Sequence, residues 1–363
     1  MTDAQANVVA KLTRKMLILG AAAKPLSDVT VGPLVSVYRF APAGNTRVSQ
    51  IEALATDFAV ELGVEDVVVK RLPGENCVAV FVPNEKRSYV KFLETTPALW
   101  RVKDTMAVPL NLGVTMIGEP LIDDLAQLPH LLIAGATGSG KSTLLTTIIT
   151  SIVASKTPRQ VQLVMSDTKG VDFRAFAAVP HLKYPIAYDD EATLAQLEFE
   201  IDDMNDRLDK IGASGAHNIA EYNAKQQGLS KTLPYTVVVI DELADVMEMR
   251  GAKRGHRPGQ DAISKLAQKA RASGIHLLCA TQRPSVNVVS GSIKANFPAR
   301  LSFKLPSEAD SRTVLNCAGA EHLLSQGDMF YLSPLRPGLQ RSHAPFTEGK
   351  DIEAALEVVV RYS

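Results

Sequence analysis

Apolar and polar positions follow two different patterns along this chain. Up to about Gly113 they are mixed. VSQIEALATDFAVELG sets Val48, Ile51, Leu54, Ala55, Phe58, Ala59 and Leu62 on one face and closes with Gly63, which predicts an amphipathic helix. GPLVSVYRFAP before it reads as a strand, and EDVVVKRLPG and NCVAVFVPN after it read as two strands joined through Pro73-Gly74. The stretch from about Val29 to Gly113 is therefore expected to be a small α+β module. It carries no obvious chemistry, which suits a platform or ring-building role.

After Gly118 the segments HLLIAG, VQLVMSD, YTVVVIDE, IHLLCATQ, ARLSFKL and DMFYLS are short, apolar and rich in β-branched residues, with helical stretches between most of them. Strands apolar on both faces and alternating with helices predict an α/β domain with a largely parallel sheet. No internal repeat or low-complexity segment interrupts either part.

Composition narrows this picture. The 363 residues suffice for two domains with a substantial core, and the 46% hydrophobic and 21% charged residues are those of an ordinary globular protein. Lys+Arg and Asp+Glu both number 39, so nucleic-acid binding would have to come from local clusters of cations. Cys77, Cys279 and Cys317 have no metal-ligand spacing and read as reduced cytosolic thiols. No apolar run approaches the roughly 20 residues that span a bilayer. Lys11, Arg14 and Lys15 before MLILGAAA faintly resemble a signal peptide, but the apolar part is short and Lys24-Pro25 follows it. An N-terminal helix with one apolar face is the alternative, and a cytoplasmic location is expected.

The chemistry begins at IAGATGSGKSTLL. Gly135, Gly140, Lys141 and Ser142 have the spacing of a phosphate loop, between a strand and a helix. Glycines there let backbone N–H groups wrap a phosphate at a helix N-terminus. Residues Gly135, Ala136, Thr137, Gly138, Ser139, Gly140, Lys141, Ser142 and Thr143 are thus candidates for holding ATP. Lys141 would reach the β- and γ-phosphates and Ser142 would hold Mg²⁺. The alternative is a glycine-rich turn without a ligand.

VVVIDE supplies the acidic partner such a loop needs, delivering Asp241 and Glu242 to the C-terminal end of a buried strand, the edge where open α/β sheets bind ligands. Asp241 is the candidate for the metal site and Glu242 for orienting or deprotonating the attacking water. Taken alone, this run is also what a strand ending in a solvated turn looks like. IHLLCATQRP ends a further strand in Thr281-Gln282, and Gln282 is a candidate contact to the γ-phosphate or simply a loop glutamine. From Arg250 to Arg271 there are seven Lys/Arg against the single acid Asp261. A solvated helix face explains some of these, and the excess suggests an anionic neighbour such as DNA or another subunit's nucleotide.

LPHLLIAGATGSGKS, PYTVVVIDELADVM, KLAQKARASGIHLLCATQRPSVNVVSGSIKANFPARLSFKL and DSRTVL together resemble the motor of the FtsK/SpoIIIE family of double-stranded DNA translocases, over about Gly32 to Phe346. The resemblance implies a RecA-like P-loop ATPase core with a mainly parallel sheet over 116–363, preceded by a smaller α+β domain over 1–115. It also implies a homo-oligomeric ring, a hexamer around duplex DNA, that hydrolyses ATP at subunit interfaces. Arg271 of QKARASG matches the arginine that reaches in from a neighbour, a role a planar guanidinium suits. Arg283 of TQRP, Lys294 of SIKAN and Arg312 of DSRT match DNA-facing positions, with surface cations as the alternative. Phosphate contacts would make the grip sequence-tolerant.

This chain departs from the family where Asp167-Thr168-Lys169 replaces Asp-Pro-Lys, where DELAD lacks a usual phenylalanine, and where a basic insertion around RGAKRGHRPGQ follows. With neither a membrane-spanning N-terminal segment nor a sequence-reading winged-helix module visible, the expectation is a stand-alone motor translocating on double-stranded DNA without regard to sequence. The alternatives are a related ring ATPase for conjugation, secretion or genome packaging, and a nucleotide-gated DNA clamp.

Overall fold

A computed structural model describes residues 1–64, 66–71, 76–86, 88–228, 231–251 and 255–362, with side chains through 357. The Pro73-Gly74 junction, and Lys253 and Arg254 of the basic insertion, lie outside the described residues. The chain forms two compact units, 1–89 with 114–119 and 90–113 with 120–363. Where the sequence suggested a division near residue 115, helix Phe92–Val102 and most of strand Pro109–Thr115 belong to the second unit.

The first unit contains α1 (Asp3–Ile18), β1 (Ala23–Val31), β2 (Val35–Pro42), α2 (Val48–Glu52), α3 (Ala55–Leu62), β3 (Val68–Arg71) and β4 (Val78–Pro83). Its four strands form an antiparallel sheet in the order β1-β2-β4-β3. The cations of the signal-like segment and its Met16–Ile18 lie in α1, an amphipathic helix opened by a Thr2–Gln5 capping box and burying Leu12 and Met16, while residues 19–23 turn into β1. These two residues join Phe40, Ile51, Phe58 and Val80 in one core. The single helix expected over 48–62 is broken at residues 53–54. Ile51 and Phe58 still share that core, so the periodicity reported the buried face and not the break in the backbone.

The second unit contains α4 (Phe92–Val102), β5 (Pro109–Thr115), β6 (Pro120–Asp124), β7 (Leu131–Ala134), α5 (Lys141–Ser155), β8 (Val161–Ser166), α6 (Asp190–Ala213), α7 (Ile219–Lys225), β9 (Tyr235–Ile240), α8 (Leu243–Glu248), α9 (Pro258–Ser273), β10 (Ile275–Thr281), α10 (Gly291–Asn296), β11 (Ala299–Ser302), α11 (Glu308–Leu315), β12 (Asp328–Leu332), β13 (Leu339–His343) and α12 (Gly349–Tyr362). The sheet order is β6-β5-β13-β12-β11-β7-β10-β9-β8. From β11 to β8 every pairing is parallel, the α/β core expected from the sequence. DMFYLS is not one of the parallel strands. It forms β12, antiparallel to both β11 and β13; the six residues that join β12 to β13 are a connection short enough only for a hairpin.

Both faces of the parallel strands are covered, which is why they read as unbroken apolar runs. Leu131, Ile133, Val237, Val239, Leu278 and Ala280 point into one core with Leu144, Ile148 and Ile152 of α5. Leu132, Val238, Ile240, Leu277 and Cys279 point into the other, with Leu197, Val246, Leu266 and Ala270. No helix among the described residues is long and apolar enough to cross a membrane.

At the N-terminal edge of the parallel sheet two buried histidines bridge elements. His130 Nδ1 accepts from the Leu277 N–H at 2.9 Å, so its Nε2–H is free to donate to the Ala267 carbonyl at 3.2 Å. His276 Nδ1–H donates to the Pro129 carbonyl at 2.8 Å. Burial, reinforced by the neighbouring His276, pushes His130 down to about 3, and burial pushes His276 down to about 4. Both are therefore neutral when folded and protonate near pH 6.5 when unfolded. Their contribution to stability is complete above that pH and is lost as pH falls towards the folded values. Between pH 7 and pH 5 each should lower unfolding free energy by about 2 kcal/mol, read from urea melts. Replacing His276 with Asn should flatten this dependence, and an unchanged slope would contradict the assignment.

Candidate functional site

The register of three neighbouring strands assembles the site. Thr281 of β10 lies opposite Ala134 of β7, and Cys279 lies opposite Ile240 of β9. The residues that follow Ala134, Ile240 and Thr281 therefore emerge together at the C-terminal edge. Gly135 N–H donates to the Thr281 carbonyl at 3.2 Å, and Ala136 N–H to the Lys304 carbonyl at 3.0 Å. Gly135 packs so closely that an added Cβ would lie 2.9 Å from the Phe303 Cβ. Gly140 has φ +118°, a conformation L side chains rarely adopt, and its added Cβ would meet the Gly327 nitrogen at 3.0 Å. Directly after it α5 begins, presenting first-turn N–H groups that have no partner within the helix and attract an anion.

Lys141 is 3% exposed and reaches across to β9. Its Nζ donates to Asp241 Oδ1 at 2.6 Å and to the Asp241 carbonyl at 2.8 Å. Asp241 Oδ2 is buried and has no hydrogen-bond partner. Lys169 Nζ approaches it to 3.8 Å and approaches Glu242 Oε2 to 3.6 Å. A buried carboxylate oxygen with spare acceptor capacity suits a metal-bound water. Among the described residues no cluster of three His, Cys, Asp or Glu could cage a metal. That donor set fits Mg²⁺, which keeps waters and substrate oxygens and takes only one or two carboxylates.

Glu242 is fixed by the adjacent strand. The Thr281 hydroxyl donates to Oε1 at 2.6 Å, and the Gln282 N–H approaches Oε2 at 3.1 Å and Oε1 at 3.3 Å. Its carboxylate also caps α8 through the Ala244 N–H at 3.4 Å. The Thr137 hydroxyl donates to Gln282 Oε1 at 3.0 Å, tying the glycine loop to β10. Gly135, Thr137, Lys141, Ser142, Asp241, Glu242 and Gln282 thus converge at one edge.

Two participants were not identified from the sequence. Asp172 accepts from the Ser142 hydroxyl at 2.9 Å, and its carboxyl is raised by burial, against the lowering effect of that bond, with Asp241 raising it further. In the sequence Lys169 stands out only as part of the departure at 167–169. Both lie on the loop after β8, and only their distance in space from Ser142 and Asp241 reveals them. Thr168, at the position where proline is usual, donates its hydroxyl to Asp245 Oδ2 at 3.2 Å, a bond proline could not make.

The remaining candidates lie away from this cluster. Arg271 is exposed in the last turn of α9, which closes at Gly274 just before β10 begins. It therefore sits at the N-terminal edge of the sheet, and the seven residues of β10 separate it from its own phosphate loop by about 20 Å at 3.3 Å per residue. Arg283 pairs with Asp245 at 2.6 Å and Glu248 at 3.3 Å. Lys294 donates to Asn316 Oδ1 at 3.1 Å. Arg312 pairs with Glu308 one turn away at 2.7 Å. Asn316 directly follows α11, so Lys294 and Arg312 border one segment, whereas Arg283 lies over α8.

The FtsK/SpoIIIE family model matches residues 95–286, and the FtsK alpha domain model matches residues 3–84. The DNA translocase FtsK of Halalkalibacterium halodurans is 38% identical over 343 residues, covering 92% of this chain and 43% of that protein. The DNA translocase FtsK of Helicobacter pylori is 39% identical over 331 residues, covering 90% of this chain and 38% of that protein. The chain thus spans less than half the length of these relatives. Among solved structures, the pCW3 conjugation coupling protein TcpA, determined as a monomer with ATPγS, superposes with a TM-score of 0.69 at 22% identity over 98% of this chain and all of that one. The cytoplasmic domain of the type VII secretion ATPase EccC of Thermomonospora curvata gives 0.58 at 24% identity over 70% of this chain and 31% of that one. These likenesses identify the fold as that of a P-loop ATPase.

Removing the Lys141 ammonium should leave the Asp241 carboxylate buried without its main partner. Lys141→Ala is expected to lower stability by roughly 3–5 kcal/mol in urea unfolding, with Lys169 offsetting part of that. Adding Asp241→Asn should recover some of the loss. A single variant as stable as the parent would show that the pair is not buried in solution.

Proposed function

The chain belongs to the FtsK/SpoIIIE family of ATPases, and on that premise we propose that it is the motor of an ATP-driven translocase that tracks along double-stranded DNA without regard to sequence, working as a ring of copies, six by its resemblance to the family. The observation that carries this reading is the split of the ATPase machinery between opposite edges of one sheet. The phosphate loop, Asp241 and Glu242 lie at one edge and Arg271 at the other, too far from its own loop for a side chain to cross.

In this reading residues 135–143 hold ATP, with Lys141 leaving Asp241 to meet the β- and γ-phosphates. Ser142 and Asp241 would hold Mg²⁺, which when bound would offset the negative charge of the phosphates. Glu242 takes the proton of the attacking water, held in place by Thr281 and the Gln282 N–H. The Gln282 side chain faces the γ-phosphate and exchanges its bond to Thr137 for one to phosphate. The partner subunit's Arg271 stabilises charge on the transferred phosphoryl group. The first unit, residues 1–89 with 114–119, serves as the ring and DNA platform for the ATPase unit. Arg283, Lys294 and Arg312 meet DNA phosphates. Arg283 must first leave Asp245 and Glu248, so its contribution is an exchange of partners.

Mixing Arg271→Ala subunits with Glu242→Gln subunits, each inactive alone, should restore part of the ATP hydrolysis, because interfaces that combine an intact base with an intact arginine reappear. Mixtures that remain inactive at every ratio, with mixed rings demonstrated, would rule out action in trans.

Duplexes of any sequence should stimulate hydrolysis strongly, and shuffling the sequence should not change the translocation rate. Alanine at Lys294 or Arg312 should weaken duplex binding and reduce the log–log salt slope by about 0.9 per lost phosphate contact, leaving hydrolysis without DNA intact. Weak stimulation would favour a clamp. Stimulation only by a protein partner would favour a conjugation or secretion ATPase. Unchanged slopes would move the DNA path elsewhere, with the Arg250–Arg257 segment the next place to test.

A further inference from the structure

The loop after β8 is built to present one side chain. Asp167, fully buried, accepts from the Gly170 N–H at 2.9 Å through one oxygen and from the Phe173 N–H at 3.0 Å through the other. Phe173 and Phe176 are buried in the core beside α5. Thr168 is tied to Asp245 on α8. Asp172 stands between these anchors, half-buried, with its Oδ2 2.9 Å from Ser142 Oγ. Beside it is the buried Asp241 Oδ2, which has no hydrogen-bond partner.

A serine hydroxyl has one proton and two lone pairs. Donating the proton to Asp172 turns the lone pairs of Ser142 away from that bond and leaves them available to a cation. The same carboxylate keeps acceptor capacity for a water, as does Asp241 Oδ2. We propose that Asp172 is a positioning residue of the metal site, orienting the Ser142 hydroxyl and, together with Asp241, accepting hydrogen bonds from metal-bound water. This inference rests on reading the site as one for ATP with a divalent metal, and it extends the metal's protein shell to the loop after β8. A purely structural role is a poor account of the residue, because Asp167 and the two phenylalanines already hold the loop, and the Asp172 carboxyl is directed at Ser142 and Asp241.

The test uses the full chain with Mn²⁺ as probe and ATPγS as nucleotide, following bound Mn²⁺ by electron paramagnetic resonance and nucleotide affinity separately in EDTA. Asp172→Asn keeps the size and removes the charge, and Asp172→Ala also removes the acceptor for Ser142. Both should weaken Mn²⁺ binding in the ternary complex by about 10- to 100-fold, as loss of an outer-shell partner does, with Ala at least as severe as Asn. ATPγS affinity without metal should stay within about twofold. The inference is overturned if Mn²⁺ affinity matches the parent in both variants, or if metal-free nucleotide affinity falls in step with it, which would make Asp172 a shaper of the loop. If the parent chain binds no Mn²⁺ with ATPγS, the reading of the site fails and the inference fails with it.

Discussion

The structure depends on the insertion of β10 between β7 and β9. With β10 at the centre, parallel register brings the glycine loop, the Asp-Glu pair and Thr281-Gln282 to the same height. Glu242 then acquires its orientation from a strand that is its neighbour in space and 39 residues away in sequence. A one-residue slip in a parallel sheet reverses which face each side chain occupies. Here it would remove Thr281 from Glu242 and also bury the wrong face of β10, so packing on both faces protects the geometry of the site.

The two edges of that sheet are electrostatically different. At the C-terminal edge the buried side chains Lys141, Asp241 and Glu242 are held by the Lys141–Asp241 pair, by Lys169 and by aimed N–H and hydroxyl groups. A buried ion pair adds little net stability, because desolvation offsets most of its attraction, so its retention here is better explained by function. At the N-terminal edge burial keeps His130 and His276 neutral, and their bonds to Ala267, Leu277 and Pro129 fasten α9 and the entry to β7. Arg271 leaves the molecule at this edge. Under the proposed arrangement each copy contributes a phosphate site from one edge and an arginine from the other, so rigidity along β10 links two sites in neighbouring subunits.

The loop after β8 shows how a departure from the family pattern can be absorbed. Replacing proline by Thr168 gives up a fixed φ and restores a backbone N–H, and it adds a hydroxyl that reaches Asp245. Asp245 is also the partner of Arg283. Thr168 is thus tied to the helix capped by Glu242 and, through Asp245, to Arg283, a cation proposed for the DNA path.

The sequence by itself determined whatever depends on local periodicity or contiguous spacing. The unbroken apolar runs ending in Gly135, Asp241 and Gln282 specified buried parallel strands with glycine or polar ends, because only strands covered on both faces lose their polar alternation. The glycine spacing specified a loop that tolerates φ +118° and close packing against Phe303. Tertiary structure alone decided strand order, the antiparallel direction of β12, the break between α2 and α3, the role of Thr281 as the anchor of Glu242, and the approach of Asp172 and Lys169 to the site. Each of these depends on contacts between segments far apart in the chain or on backbone geometry that hydrophobic pattern does not encode. An aspartate 30 residues beyond Ser142 resembles any loop aspartate until the fold brings its carboxylate within a hydrogen bond of that hydroxyl.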